Sequence, residues 1–516
     1  MEIKNNKKSI ALLFLGIFLL SGFFIVPWYA KRYLKNFLEQ KIPSTVTLNY
    51  TDLNVNLFKR SIVLDSVSVN IRSKKATEFH SVLYFEALHL RGIDYYDLLF
   101  TDRLSLGELS FVNPDLAYYP DLRLPVEKDH SNNDSKAIHI GEIIMSNGSL
   151  KVLNNKEDAT VAIGSLNLNI INFNGTEHPF KELPFNLKDV KISAQKVYFK
   201  NTDFEKFAID SLTLNKNKIV FRNFKIIPEY DKVELSKHLE TERDYVKLSI
   251  PKITIDAIGL QLQENKIGCS AELVEIIKPN LEIYRDKLVP DDQSVKSLYS
   301  KSLRNLAFDL EISQTKIKDG YISYTERVDT DSNAGKLYFE KVSATLDNIS
   351  NRKETKKTEI KINSTFMGAA SLELNWSFDV NNETDAVFVS GAVMNLPATV
   401  LDPFLKRNMN VLTEGTLKQM YFTFEGDRIA SKGGMKMKYG DFKVKILRKN
   451  SSKVNQILTA VGSLFIKKGS DGNKDHGFRY GDIEAERDAT KSFFNYLWIN
   501  VQSGLVSVLT GDGEKD

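Results

Sequence analysis

The chain has 516 residues, a formal net charge of +4, and 42% apolar and 26% charged side chains, a balance ordinary for a folded protein long enough for several domains. So weak a positive charge, with no arginine-rich block carrying interleaved aromatics, excludes a nucleic-acid partner. The single cysteine, Cys269, excludes an intrachain disulfide and a cysteine-built zinc site, so packing and hydrogen bonds must hold the fold.

Residues 1–8 carry Lys4, Lys7 and Lys8 and precede an uncharged stretch, Ser9 to Ala30 (SIALLFLGIFLLSGFFIVPWYA). As a helix it is about 33 Å long, enough for a hydrocarbon core of roughly 30 Å. Its candidate anchor residues are Ile10, Leu13, Phe14, Ile17, Leu20, Phe24 and Trp28. A cleaved signal peptide wants a shorter apolar core and small residues before the cut, whereas Trp28 and Tyr29 stand at the far edge. We therefore expect an uncleaved signal anchor over 9–30. Lys31, Arg32 and Lys35 nearly balance the lysines on the other side, so charge does not orient it. The short leading tail makes a cytoplasmic 1–8 the simpler topology, with the bulk of the chain outside the cytoplasm.

From about Thr45 to Lys445 short alternating apolar runs such as LNVNLF, KVYFKN, KLYFEKVSATL and SLELNWSF are separated by Asn, Asp, Gly and Lys. Such alternation marks strands with one buried face, so the chain is mainly β. The runs also repeat. ELSFVNPDLAYYPD from Glu108 is echoed by LVEIIKPNLEIYRD from Leu273, and IHIGEIIMSNGSLKVL from Ile138 by FDLEISQTKIKDGYISY from Phe308. The offset widens stepwise from Leu53/Leu212 to Pro114/Pro279 to Gly148/Gly320, and both steps fall in polar segments. That is the pattern of a duplicated framework with surface insertions. The prolines fit strand edges or loop starts, and the Asp or Asn that follows each indicates a turn. Expected units are 31–190 and 191–360, then a C-terminal β module over 361–448 and a region over 449–516.

In GGMKMKYGDFKVKILRK from Gly433, Gly440-Asp441 has the Gly-first order of a type II′ hairpin loop. That register would set Lys438 against Lys443 and Lys436 against Lys445, with Met437, Tyr439, Phe442 and Val444 on the other face. Facing lysines repel, so this basic stripe needs open water or an anion such as a lipid headgroup beside it. Further on, Phe494, Leu497, Trp498, Val501, Leu505 and Val508 recur at helical spacing. They predict an amphipathic helix over 489–510 that packs on its own domain.

Chemistry is hard to find. The seven histidines include no HExxH or HxH spacing, and neither a GxSxG elbow nor a phosphate-binding GxxxxGK[ST] loop occurs. No catalytic residue, metal ligand or cofactor is assigned, and the chain is read as a non-enzyme.

The whole plan, one N-terminal anchor followed by β repeats with the P-[DN]-L-x-x-Y phrase at Pro114 and Pro279, and GTLKQMYFTFEGDRIASKGGMKMKYGDFKVKIL from Gly415, resembles the AsmA-like family of bacterial envelope proteins. That family includes TamB-type and YhdP-type members and is similar in architecture to bridge-like lipid-transfer proteins. The resemblance implies a transmembrane helix followed by an elongated, repeat-built, curled antiparallel β-sheet forming an open trough, with short helices near the C-terminus. It implies a single-pass inner-membrane protein with a periplasmic body, phospholipids as cargo, a role in outer-membrane lipid homeostasis, and outer-membrane or envelope proteins as further partners. Period two places Leu116 with Tyr118, and Leu281 with Ile283, on one face as groove candidates. Ile276 and Leu281 flank Pro279, so alternation alone does not put both on that face. Two alternatives stand beside this: an envelope scaffold or assembly factor that pairs client strands, and an envelope hydrolase.

Overall fold

The computed structural model describes residues 28–36, 45–73, 78–101, 103–120, 137–154, 158–176, 183–263, 266–330, 334–353, 356–447 and 477–511. The chain is mainly β, with 62% strand, few short helices, and one large hydrogen-bonded sheet of 23 strands. It divides into two compact units, Met1–Lys200 with Ser211–Asn217, and Asn201–Asp210 with Lys218–Asp516. Ile10, Leu13, Phe14, Ile17, Leu20 and Phe24 lie outside the described residues. Trp28 lies in a helix described over 28–36, whose Leu34 packs on the sheet of the first unit. Among the described residues no helix is long and apolar enough to cross a membrane.

The first unit holds β1 (Val46–Asn49), β2 (Asp52–Asn56), β3 (Ser61–Arg72), β4 (Phe79–Arg91), β5 (Arg103–Val112), β6 (Asp115–Tyr118), β7 (Ala137–Leu153), β8 (Ala159–Thr176) and β9 (Val190–Lys200). β3 pairs with β4, and β4 pairs on its far side with β5 and β6 laid end to end. Both then pair with β7, which leads antiparallel to β8 and β9. After β10 (Glu205–Asn215) the second unit follows the same plan in β11 (Lys218–Pro228), β12 (Tyr245–Asp256), β13 (Gly259–Gln263), β14 (Lys266–Ile277), β15 (Asn280–Asp286), β16 (Asp309–Arg327), β17 (Gly335–Ser350) and β18 (Thr358–Phe366). β11 pairs with β12; β12 pairs with β14 and β15 end to end; both pair with β16; β17 and β18 follow. Among the described residues β13 has no counterpart in the first unit.

The sheet departs from the expected antiparallel order at one step in each unit: β5 and β6 run parallel to β7, and β14 and β15 run parallel to β16. A parallel step needs a long crossover connection. In the second unit residues 287–308, with the helix Tyr299–Arg304, supply it. Of the two polar segments where the offset between the sequence copies widens, the one from Glu229 lies between β11 and β12, which run antiparallel, and the other falls in the crossover connection.

Pro114 and Pro279 do not sit in turns. Each marks a break in a strand that continues in the same direction, because Asn113 (φ 47°) and Lys278 (φ 50°) adopt left-handed backbone just before it. The neighbouring strands break at the same height. Ser66 on β3, Asn147 on β7 and Lys196 on β9 are also left-handed, as are Asn223 on β11, Asp319 on β16 and Lys341 on β17. Such irregularities on several neighbouring strands bend the sheet along one line and strengthen its twist, as bulges do. Gly148 and Gly320 stand where a Cβ would meet Pro114 Cγ at 2.9 Å and Pro279 Cγ at 3.0 Å, so the proline and glycine of the repeated phrases pack on each other. In the first unit side chains tie the crease: Asn113 donates to Glu86, and Asn147 Nδ2 donates to Asn113 Oδ1 at 3.0 Å.

Downstream, β19 (Ala370–Phe378), β20 (Val387–Pro397), β21 (Val411–Gly426), β22 (Ala430–Ile446) and β23 (Arg479–Glu486) run antiparallel. The expected hairpin at Gly440-Asp441 is absent. β22 is one continuous strand on β21, and Gly440-Asp441 form a bulge, with Asp441 at φ 50° opposite Gly415 at φ 93°. The bulge shifts the alternation, so Tyr439 and Phe442 both reach the core. The lysines do not face one another: Lys436 lies opposite Tyr421, Lys438 opposite Gln419, Lys443 opposite Glu414 and Lys445 opposite Leu412.

The C-terminal helix spans Phe493–Thr510, starting where the Ser492 side chain accepts the Asn495 N–H. It packs on β21–β23, as expected, and Leu497, Val501, Leu505 and Val508 of the expected stripe pack in the core cluster there. Phe493, Tyr496, Asn500, Gly504 and Val508 are buried, whereas Phe494 is 57% and Trp498 39% exposed. Gly504 lets the helix approach Met435 and Ile483, and Asn500 is satisfied by Ser431 Oγ (2.7 Å) and the Tyr496 carbonyl (2.9 Å). Helix serines also cover the edge of β23: Asp482 N–H donates to Ser507 Oγ (2.9 Å) and Glu484 N–H to Ser503 Oγ (3.0 Å).

One buried charge fastens this end of the second unit. Glu242, nearly inaccessible, accepts from Lys287 (2.7 Å) and Lys491 (3.1 Å). Burial pushes its carboxyl up, but the two lysine hydrogen bonds outweigh that and hold it below the usual range. A lowered folded pKa stabilises the fold above the ordinary carboxylate value of about 4.3, and the contribution is lost as pH falls through the lowered value. Glu242→Gln is therefore expected to lower stability at neutral pH by about 1.5–3 kcal/mol. Melting curves across the acid range should show its deficit against the parent narrowing as the pH drops.

Candidate functional site

Directly paired residues of neighbouring strands share a face of a sheet, so a face continues across strands as well as along them. In the first unit one row runs Leu53, Leu64, Leu88, Phe111, Met145, Leu168, Ile192. Beyond the crease another runs Leu48, Val69, Leu83, Leu116, Leu150, Ile163, Val197. Leu48, Val69 and Leu83 join Leu64, Leu88 and Phe111 in one apolar cluster, which puts both rows on the same face. Without the crease a strand crossing from one row to the other would turn its apolar side chains outward.

The second unit repeats this. Phe221, Ile253, Ile276, Ile317, Ala344 and Ile362 form one row, and Ile226, Leu248, Leu281, Ile322, Phe339 and Phe366 the other. Ile362 and Phe366 pack in one core cluster, so Ile276 and Leu281 lie on one face, a question that alternation around Pro279 leaves open. Ile283 follows in the row of Val246 and Tyr324, and Tyr118 in the row of Ser81 and Val152. Leu116, Tyr118, Leu281 and Ile283 are all partly buried.

Burial divides the apolar face into two kinds of surface. At its C-terminal end it is closed: Val389, Phe424, Met435, Met437, Tyr439 and Ile483 are buried, with Phe493 and Val508 of the C-terminal helix in the same cluster. Along β4–β9 the row from Leu88 to Ile192 is only partly buried. There Met145, Leu168, Ile192 and Leu214 are among the residues lining a cleft of about 360 Å³. The LNLNI alternation at Leu166–Ile170 is the sequence signal for it. Asn167, Asn169 and Ser193, which also border it, alternate with Leu168 and Ile192 and so belong to the opposite face; an apolar cleft of this kind suits an apolar ligand.

Buried charges serve the fold instead. Asp385 is held by Arg304 (2.7 Å) and Ser300 (2.8 Å), and Arg285 grips Asp244 through Nε at 2.7 Å. Tyr324 donates to Glu326 at 2.5 Å, and burial followed by that carboxylate keeps the phenol well above its ordinary range. Among the described residues no group of three or more His, Cys, Asp or Glu could hold a metal ion. His139 Nδ1 meets Asn174 Oδ1 at 2.8 Å, and His89 meets Arg91. Lys436 lies 5.1 Å from the ring centres of both Tyr421 and Phe478, and Lys443 pairs with Glu414 at 3.5 Å. The repulsion that called for an anion beside these lysines is therefore not present.

No protein-family model matches the sequence, and the search of curated proteins finds no match.

Proposed function

We propose that this chain is a membrane-anchored, AsmA-like envelope protein that carries phospholipids along the apolar face of its sheet, acyl chains on the rows and headgroups in water. The observation that carries this reading is that apolar residues continue from strand to strand on both sides of the crease, in both copies, while the middle of the face stays only partly buried. A sheet that folded only for stability would close that face, as the C-terminal helix closes its own part. Repetition then has a purpose, since each copy adds lining without a site of its own. Lipid exchange along such a surface needs no covalent chemistry, so the protein is proposed to be no enzyme. The expected setting is the bacterial inner membrane, with residues 9–30 as a single-pass anchor and the body in the periplasm.

The scaffold alternative needs an open strand edge for a client. At β23 the outward N–H groups of Asp482 and Glu484 are already taken by helix serines, which counts against pairing there. Mass spectrometry of lipids that co-purify with the detergent-extracted protein tests the reading. Bound phospholipid is expected, and a lipid-free protein would argue against carriage.

A further inference from the structure

Two connections at one end of the first unit carry large apolar side chains into solvent. The turn between β2 and β3 presents Phe58, 72% exposed, and the short helix Tyr95–Phe100 presents Tyr96 at 68% and Phe100 at 74%, with Leu98 beside them. They belong to one tip: Tyr95 Oη donates to the Leu57 carbonyl at 2.9 Å, Ile93 N–H donates to the Arg60 carbonyl at 3.1 Å, and the Tyr96 and Phe100 rings lie 5.5 Å apart. Beneath the tip Tyr95 packs with Ile93, Leu106 and Ile140, where the apolar face reaches this end.

The tip carries both signs of charge, its carboxylates turned to local donors and its basic groups more exposed. Asp94 is occupied as helix cap, accepting the N–H groups of Tyr96 and Asp97, and the Asp97 carboxylate accepts from Ser105 and Thr101. Lys59 and Arg60 remain exposed beside Phe58. Aromatic rings flanked by basic side chains match the boundary between acyl chains and anionic headgroups. The chain itself brings a bilayer near. The uncharged run Ser9–Ala30 leads into the helix over 28–36, whose Lys31 pairs with Asp52 at 3.2 Å at the start of β2. β2 has five residues, about 17 Å, and its other end is the Phe58 turn.

We infer that the tip formed by Phe58, Tyr96, Leu98 and Phe100 inserts into the surface of the bilayer that receives the N-terminal apolar segment, opening the apolar face toward its acyl chains. This goes beyond the proposed lipid carriage and fails separately from it, because a protein could bind lipid without dipping this tip.

The test uses the full chain with Cys269→Ser, reconstituted into vesicles of phosphatidylcholine and phosphatidylglycerol. A polarity-sensitive fluorophore is attached in turn at Phe100→Cys, Phe58→Cys and, as a control in the C-terminal module, Phe388→Cys. Phe58, Phe100 and Phe388 are exposed, so labelling leaves packing intact. Labels at 58 and 100 are expected to shift to the blue and lose most of their emission when the lipids carry brominated acyl chains, while the label at 388 stays bright. Emission at 58 and 100 as insensitive to bromine as that at 388 overturns the inference. So does shielding that appears only as protein density on the vesicle rises, which would mark a second copy as the occupant.

Discussion

Full-length protein carrying Leu116→Asp and Leu281→Asp is expected to lose its co-purifying phospholipid while its melting temperature changes little. Each leucine sits mid-row, Leu116 between Leu83 and Leu150, Leu281 between Leu248 and Ile322. A carboxylate there faces acyl chains in the loaded state and would be costly to desolvate. In the empty state it lies on a partly open surface and keeps its water. Loss of lipid together with loss of folding would mean that these rows are a closed core. Mass spectrometry of the bound lipid beside thermal melting separates the outcomes.

Phe424→Ala is expected to do the opposite, destabilising the C-terminal module by about 3–5 kcal/mol, the usual cost of removing a buried aromatic ring, while bound lipid persists at temperatures where the module remains folded. Phe424 is almost wholly inaccessible, lies opposite Gly433 and Val389, and has its ring centre 6.4 Å from that of Tyr496 on the helix. A Cβ at Gly433 would come within 2.0 Å of the Thr423 carbonyl oxygen and 2.6 Å of Phe424 Cα and Cβ, so the two strands meet closely beside the ring. Denaturant unfolding followed by tryptophan emission, with Trp376 and Trp498 in this module, measures the loss. The contrast between this variant and the aspartates distinguishes a face closed by a helix from one left partly open on the same sheet.

Much of this architecture was legible in the sequence. Alternation gave strands, and the paired phrases around Pro114 and Pro279 gave the duplication that the strand pairings repeat. The parallel step after each phrase was hidden, because two strands in a row do not state their relative direction; only the length of the polar crossover hinted at it. The crease was harder still. Left-handed backbone at Asn113 or Asn147 suits those residues, but Lys196, Lys278 and Lys341 adopt it without any such preference, and only neighbouring strands kinked at the same line account for it. That is why Ile276 and Leu281 could not be joined on one face beforehand.

Two misreadings have local causes. Gly440-Asp441 has the chemistry of a hairpin loop and equally that of a bulge, and the choice was made by β21, long enough to pair with all of β22. The C-terminal helix buries Asn500 and Gly504 on its inner face and leaves Phe494 and Trp498 exposed, so counting apolar side chains set the expected stripe off to one side, although its Leu497, Val501, Leu505 and Val508 do pack inward. Close approach at Gly504 and a satisfied amide at Asn500 add to side-chain hydrophobicity in setting that face.

Lipid on the apolar face is tested most directly by photo-crosslinking in membranes. A photoreactive phenylalanine analogue is placed at Leu116, Leu281 or Ile283, or at Ala117 or Lys247, which belong to the opposite face by the same pairing, and adducts are identified by mass. Phospholipid adducts at Leu116, Leu281 and Ile283, with none at Ala117 and Lys247, are the expected result. Adducts that ignore this alternation, or only peptide adducts at Leu116 and Leu281, would contradict lipid carriage along the face.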